Sequence, residues 1–172
     1  YILPNKTKKK VIHPLLAFQQ QIEIIKSDLR WMQTRAKRSH AEIIGGDART
    51  FADSMPQKVD AVITSPPYAN NYDYADALRF EMTFWGDVTG WGDIHDAVRK
   101  HLIVSSSQHS SRVRLIASDL LDADAVQPIR DELGAVMEQL AKVRENHGGK
   151  KHYHTMIGAY CRDISLVLRQ LR

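Results

Sequence analysis

"VDAVITSPPYANNYDY", residues 59–74, is the stretch on which the reading of this chain turns. From Lys58 to Thr64 the side chains are apolar on both faces apart from Asp60, the pattern of an interior strand in a parallel sheet. Asp60 itself suits a strand start or a cap better than catalysis. The run stops at Ser65-Pro66-Pro67-Tyr68, where two prolines remove N–H donors and hold φ. Upstream, "AEIIGGDARTF" (41–51) reads as a second short apolar strand, broken by Gly45-Gly46, with Asp47 just past its end. The intervening "ARTFADSMPQK" (48–58) suits a helical turn or two and a loop, which gives a β-α-β rhythm. In open α/β sheets ligands collect beyond the carboxyl ends of strands, where Asp47 and Ser65 would both lie.

The chemistry at that edge is specific. Ser65 offers a hydroxyl that can accept or donate. The proline carbonyls are rigid acceptors, and Tyr68 adds a flat face on which a base can stack. Together they suit an amino group on a planar heterocycle. The plain alternative is a Pro-Pro turn closing a strand.

Working outward, residues 1–12 form a basic arm around Lys6, Lys8, Lys9 and Lys10. Pro14 opens a helix in which Leu15, Phe18, Ile22, Ile25, Leu29 and Met32 recur at 3-4-3-4-3 spacing, one apolar stripe. Arg35, Lys37 and Arg38 close it, favourably placed for a helix C-terminus. "ADALRFEMTFWG" (75–86) has helical spacing, and Gly86, Gly90 and Gly92 mark a loop. The stretch 101–118, two apolar runs about a Ser-rich turn, receives no assignment. Pro128 starts a helix with Ile129, Leu133, Val136, Met137, Leu140 and Val143 on one face, ended by Gly148-Gly149 beside Lys150-Lys151. A final helix carries Ile157, Tyr160, Ile164, Val167, Leu168 and Leu171.

The 172 residues suit one domain of ordinary size, and the net charge of +4 with a pI near 9.2 suits a polyanionic partner without demanding one. The single cysteine, Cys161, excludes an internal disulfide and a cysteine-rich zinc site, so a reducing, cytoplasmic home is expected. No apolar run reaches the length of a membrane span, and the N-terminus lacks a signal-peptide core. The eight histidines have no metal-like grouping, and no metal site is expected.

Thr64-Ser65-Pro66-Pro67-Tyr68 resembles the (S/D/N)-P-P-(Y/F/W) motif of S-adenosylmethionine-dependent DNA amino-methyltransferases, which methylate cytosine N4 or adenine N6. "GDAR" (46–49), "VDAVITSPPY" and "YCRDISLVLRQL" follow in the order of that family, and "YANNYDYADALRFEMTFWG" is similar to its TSPPY branch. The resemblance implies an α/β fold: a helix-rich, partial Rossmann-like methyltransferase fold with few strands and a helical insertion. The segments would be an arm and long helix (1–40), a catalytic strand-loop region (41–86), a helical insertion (87–150) and a core helix (151–172). Residues 87–150 permit a DNA-contacting lobe, and a helical scaffold fits them equally.

By resemblance, Ser65, Pro66, Pro67 and Tyr68 are the catalytic residues, holding the amine of a flipped base. Ser65 rather than Asp leans toward cytosine. Asp47 and the Ala48 N–H would hold the adenine of S-adenosylmethionine, although a helix N-cap is the ordinary role for such an aspartate. Asn70, Asn71, Tyr72 and Tyr74 would line the DNA-facing mouth, or form a polar loop. The family's Gly-rich F-x-G-x-G loop is not found, and the chain begins without Met. The expectation is therefore a fragment that binds S-adenosylmethionine weakly and self-associates through truncated sheet edges or the 15–32 helix. The competing expectations are an RNA base-amine methyltransferase, a protein-glutamine enzyme (which usually shows N-P-P-Y) and a non-catalytic nucleic-acid-binding module.

Overall fold

The computed structural model describes residues 12–35, 40–55, 58–112, 115–147 and 152–171. The basic arm, Lys37, Arg38, Gly148-Gly149 and Lys150-Lys151 lie outside them. The chain divides into two units, residues 1–43 and 44–172.

In the first unit, α1 (Pro14–Arg35) follows the 3-4 spacing expected of it and buries none of its residues. Arg35 lies over the Trp31 ring at 4.5 Å, a cation–π contact at the basic helix end.

The second unit is helical. It comprises α2 (Tyr74–Ala77), α3 (Arg79–Trp85), α4 (Trp91–Ala97), α5 (Ser107–Arg112), α6 (Ala117–Asp122), α7 (Arg130–Asn146) and α8 (Tyr153–Arg169), with 3-10 turns at Phe51–Ser54, Arg99–His101 and Asp124–Ile129. Val104, Leu120, Val126, Leu133, Met137, Met156 and Ala159 form its main core. Residues of 87–150 and of the last helix thus share one core. On α8 the fully buried side is Met156, Ala159 and Asp163; of the apolar residues expected on this helix, Ile157 packs against the core, Tyr160, Ile164 and Val167 are half-buried, and Leu168 and Leu171 are exposed. Gly158 lets α8 come close to its neighbours: a Cβ there would sit 2.9 Å from Met137 Sδ and 3.1 Å from Leu120 Cδ1.

A smaller core joins Ala75, Val88 and Ile94. Asp73 organises it. Its Oδ1 accepts from the Ala75 and Asp76 N–H groups at the start of α2, and its Oδ2 pairs with the buried Arg99 guanidinium at 2.9 Å. The helix read over 75–86 breaks at Leu78, and Gly86, at φ 81°, ends α3 in the left-handed conformation. Pro128 sits inside a 3-10 turn, so α7 starts at Arg130. The unassigned stretch 101–118 holds α5 and the start of α6.

The expected α/β, Rossmann-like sheet is overturned. No strand occurs among the described residues. The runs 41–46 and 58–66 are irregular, without regular secondary structure or ladder partners there. A continuous apolar run reads as a strand buried on both faces, but Ile43 and Ile63 are each 99% exposed. Among the described residues the anchors lie just past these runs, at Arg49 and Pro67, and hold to α8 and neighbouring loops rather than forming the cross-strand pairing that defines a sheet.

Candidate functional site

Two loops and α8 build the site. Asp47 ends the first apolar run. Its Oδ1 accepts from the Arg49 backbone N–H at 2.9 Å, and both its oxygens take the Arg49 guanidinium, the closest contact being Oδ2 to Nη2 at 2.6 Å. These bonds hold the Asp47 carboxyl below its ordinary range. Arg49 also reaches the His101 carbonyl and, through Nη1, Asp163 Oδ2 at 3.2 Å. Asp163 is only 1% exposed and its demand for partners is met: Arg162 and Arg49 donate to it, as does the Val104 N–H. A buried carboxylate needs such company.

Three residues earlier on α8, Tyr160 donates its hydroxyl to the Pro67 carbonyl at 3.0 Å. Residues three apart share a helix face, so one face of α8 holds both the GDAR loop and the Pro-Pro loop. Burial pushes the Tyr160 hydroxyl's pKa up from its ordinary value. The Pro-Pro loop has a second tether, the Tyr68 N–H donating to the Tyr74 hydroxyl at 3.3 Å. Ser65 and Pro66 stand exposed, and the Tyr68 ring is 67% exposed.

The structure sorts the expected mouth residues by role. Asn70 Oδ1 accepts from the Tyr72 N–H, closing a local turn. Asn71 adopts φ 63°, a left-handed conformation that asparagine tolerates. Its Oδ1 accepts from the N–H and the hydroxyl of Ser107 at 2.8 Å, which caps α5. Tyr72 remains exposed and meets Tyr74 edge to face at 4.9 Å. Tyr74 is half-buried and serves the loop from behind. Ala48 is exposed beside Asp47.

The sequence reading gave no site role to Arg49, Tyr160, Asp163, Asp73 or Arg99. One signal existed for Asp163: a lone acid in the apolar "YCRDISLVL" must face either water or a cation. Nothing in the sequence marks its partner as Arg49.

A cavity of about 110 Å³ lies beside Asp163, lined by Arg49, Lys100, Val104, His109 and Arg162 among others. Small-molecule sites begin at roughly 300 Å³, so this cavity does not accommodate S-adenosylmethionine. Both Asp47 oxygens are already engaged by Arg49. Neither this cavity nor the engaged Asp47 carboxylate therefore offers the methyl donor a place. Among them no cluster of three or more His, Cys, Asp or Glu could hold a metal, and no helix is long and apolar enough to cross a membrane. Cys161 is half-buried, and burial raises its thiol pKa.

No protein-family model, no curated protein and no solved structure matches this chain.

Proposed function

We propose that this chain forms the base-holding part of an S-adenosylmethionine-dependent DNA amino-methyltransferase, with cytosine N4 favoured over adenine N6. The supporting observation is the convergence of the GDAR and Ser-Pro-Pro-Tyr loops on one face of α8, through Arg49–Asp163 and Tyr160–Pro67. The plain alternative, a Pro-Pro turn closing a strand, lacks its strand among the described residues.

An exocyclic amine is a poor nucleophile because its lone pair is delocalised into the ring. Hydrogen bonds from the amine to the Ser65 hydroxyl and a proline carbonyl draw the nitrogen toward tetrahedral geometry and free that pair. Tyr68, exposed beside them, stacks on the flipped base. Positioning by rigid acceptors supplies the catalytic contribution of these residues.

The test is methyl transfer from labelled S-adenosylmethionine to unmethylated DNA by the protein, with Ser65→Ala and Tyr68→Ala measured alongside. Loss of transfer in both variants supports the reading. Transfer unchanged in both removes it, and transfer to RNA in preference to DNA reassigns the substrate.

A further inference from the structure

The two proline carbonyls of the Ser65–Tyr68 loop are not equivalent. The Pro67 carbonyl accepts the Tyr160 hydroxyl at 3.0 Å, and the neighbouring Tyr68 N–H donates to the Tyr74 hydroxyl. A residue on α8, 93 positions away, therefore grips the loop at the peptide that precedes the stacking ring. Tyr160 is half-buried, on the helix that carries Met156 and Ala159 into the main core. Its ring is thus mounted on one of the best-packed elements of the unit, and its hydroxyl extends to the loop.

We infer that Tyr160 is a positioning residue: its hydroxyl, fixed on the Pro67 carbonyl, sets the orientation of Ser65 and Tyr68 toward a base amine. This rests on the base-holding reading above. Two successive prolines leave ψ as the main freedom of the loop. A hydrogen bond to the Pro67 carbonyl fixes the plane of the Pro67–Tyr68 peptide, and so the direction in which the Tyr68 side chain leaves the backbone. The Tyr74 contact holds the same peptide from its N–H side. With both ends of one peptide unit held, the ring of Tyr68 and the acceptors before it are presented as a unit. Without Tyr160 the loop keeps its residues but loses its orientation.

The consequence is read in base discrimination rather than in overall affinity. Cytosine carries an exocyclic amine where thymine carries a carbonyl oxygen, so twelve-residue single strands of 5-methyldeoxycytidine and of deoxythymidine, which share the C5 methyl, make a matched pair of probes. Phosphate contacts are common to both. The wild-type chain should prefer the cytosine strand by about tenfold, since a site of fixed acceptors rejects a base without the amine. Tyr160→Phe removes one oxygen and should reduce that preference by about fivefold while leaving thymine-strand affinity within twofold. Ser65→Ala is the benchmark and should behave alike. Tyr160→Phe should keep the wild-type circular-dichroism spectrum, and the Pro67 carbonyl ¹³C resonance should move upfield as its hydrogen bond is lost.

If wild type prefers cytosine and Tyr160→Phe keeps the full preference, the positioning role is wrong and the base-holding reading stands. If wild type shows no preference, the base-holding reading fails and the positioning role falls with it. An equal loss on both strands, with an altered spectrum, assigns Tyr160 to structure alone and overturns the inference. Tyr74→Phe, which releases the other side of the same peptide, gives an independent second variant: it should also lower the preference, and full retention in both tyrosine variants counts against the inference.

Discussion

Arg49 and Asp163 are 114 positions apart, yet their side chains meet at 3.2 Å, the guanidinium spanning from Asp47 to the buried carboxylate on α8. One arginine thereby connects the GDAR loop to the helical core.

Asp163→Asn keeps the shape and removes the charge that Arg49 and Arg162 share. The Val104 N–H can still find an oxygen, but the charge-assisted bonds are lost. Both arginines are partly exposed, so solvent offsets part of the loss. A destabilisation of about 2 kcal/mol is expected from urea unfolding. Arg49→Lys should cost less, about 1 kcal/mol, because the ammonium cannot span two carboxylates as the planar fork does. Wild-type stability in Asp163→Asn would remove the anchoring role.

Stability should decline in mild acid, and His109 should account for part of the decline. Burial holds its pKa below the ordinary imidazole value of 6.5; His95 and Arg99 push the same way, while Asp163 and Asp73 oppose. The unfolded chain takes up the proton near 6.5 while the folded chain resists it. Its contribution is therefore complete above 6.5 and drains as pH falls toward the lower folded value. His154 is shifted in the same direction, chiefly by burial. Asp47, whose pKa is lowered chiefly by Arg49, loses its contribution only as pH falls below the ordinary aspartate value of 3.8 and through the folded one. Urea midpoints at about pH 7.5 and about pH 5.5 should differ in wild type and differ less in His109→Gln. An identical pH response in the two proteins would contradict this.

The same substitution at two glycines should act with opposite signs. A Cβ at Gly134 would lie 3.7 Å from its nearest neighbour, Leu121 Cδ1, so Gly134→Ala should gain up to about 1 kcal/mol of helix propensity. At Gly158 the Cβ would press on buried Met137 and Leu120 at 2.9–3.1 Å. Overpacking there should exceed the propensity gain and leave a net loss of about 1–2 kcal/mol. Thermal unfolding of the two variants decides it, and a stabilised Gly158→Ala would show that α8 has room to move off its neighbours.

The α1 stripe should drive self-association. Leu15, Phe18, Ile25, Leu29 and Met32 are each about half-exposed or more. Exposed apolar stripes of this kind mark interaction surfaces. Light scattering should show mass rising with concentration, and Leu29→Lys, in the middle of the stripe, should suppress the rise. A monomeric mass at every concentration would sink the expectation.

Much of the helical content was legible in the sequence. The spacing from Leu15 to Met32 gave α1, and the periodicity of Leu133 and Met137 gave α7, because helical repetition is a local property of side-chain order. The sheet was misread: the sequence suggests one, and the described residues form none. The runs at 41–46 and 58–66 carry strand-like residues, but a strand exists only when a second strand pairs with it, and neither run finds one among the described residues. The site was half legible. Ser65, Pro66, Pro67 and Tyr68 announce themselves as a rigid acceptor loop with an aromatic face, whereas the residues that hold the loop lie on a distant helix.

By itself, then, the sequence determined which chemical groups this protein offers: a hydroxyl, rigid carbonyls and a flat ring in five consecutive residues from Thr64, and an aspartate after Gly45-Gly46. The tertiary structure alone decided which of those groups are already engaged. Tyr160 occupies the Pro67 carbonyl, Asp163 takes the arginine beside Asp47, and Asn71 is spent capping α5. The reason is that a hydrogen bond between residues far apart in sequence depends on where the helix carrying its partner packs. That packing is set by the apolar core around Met137 and Met156, not by any local pattern in the loops.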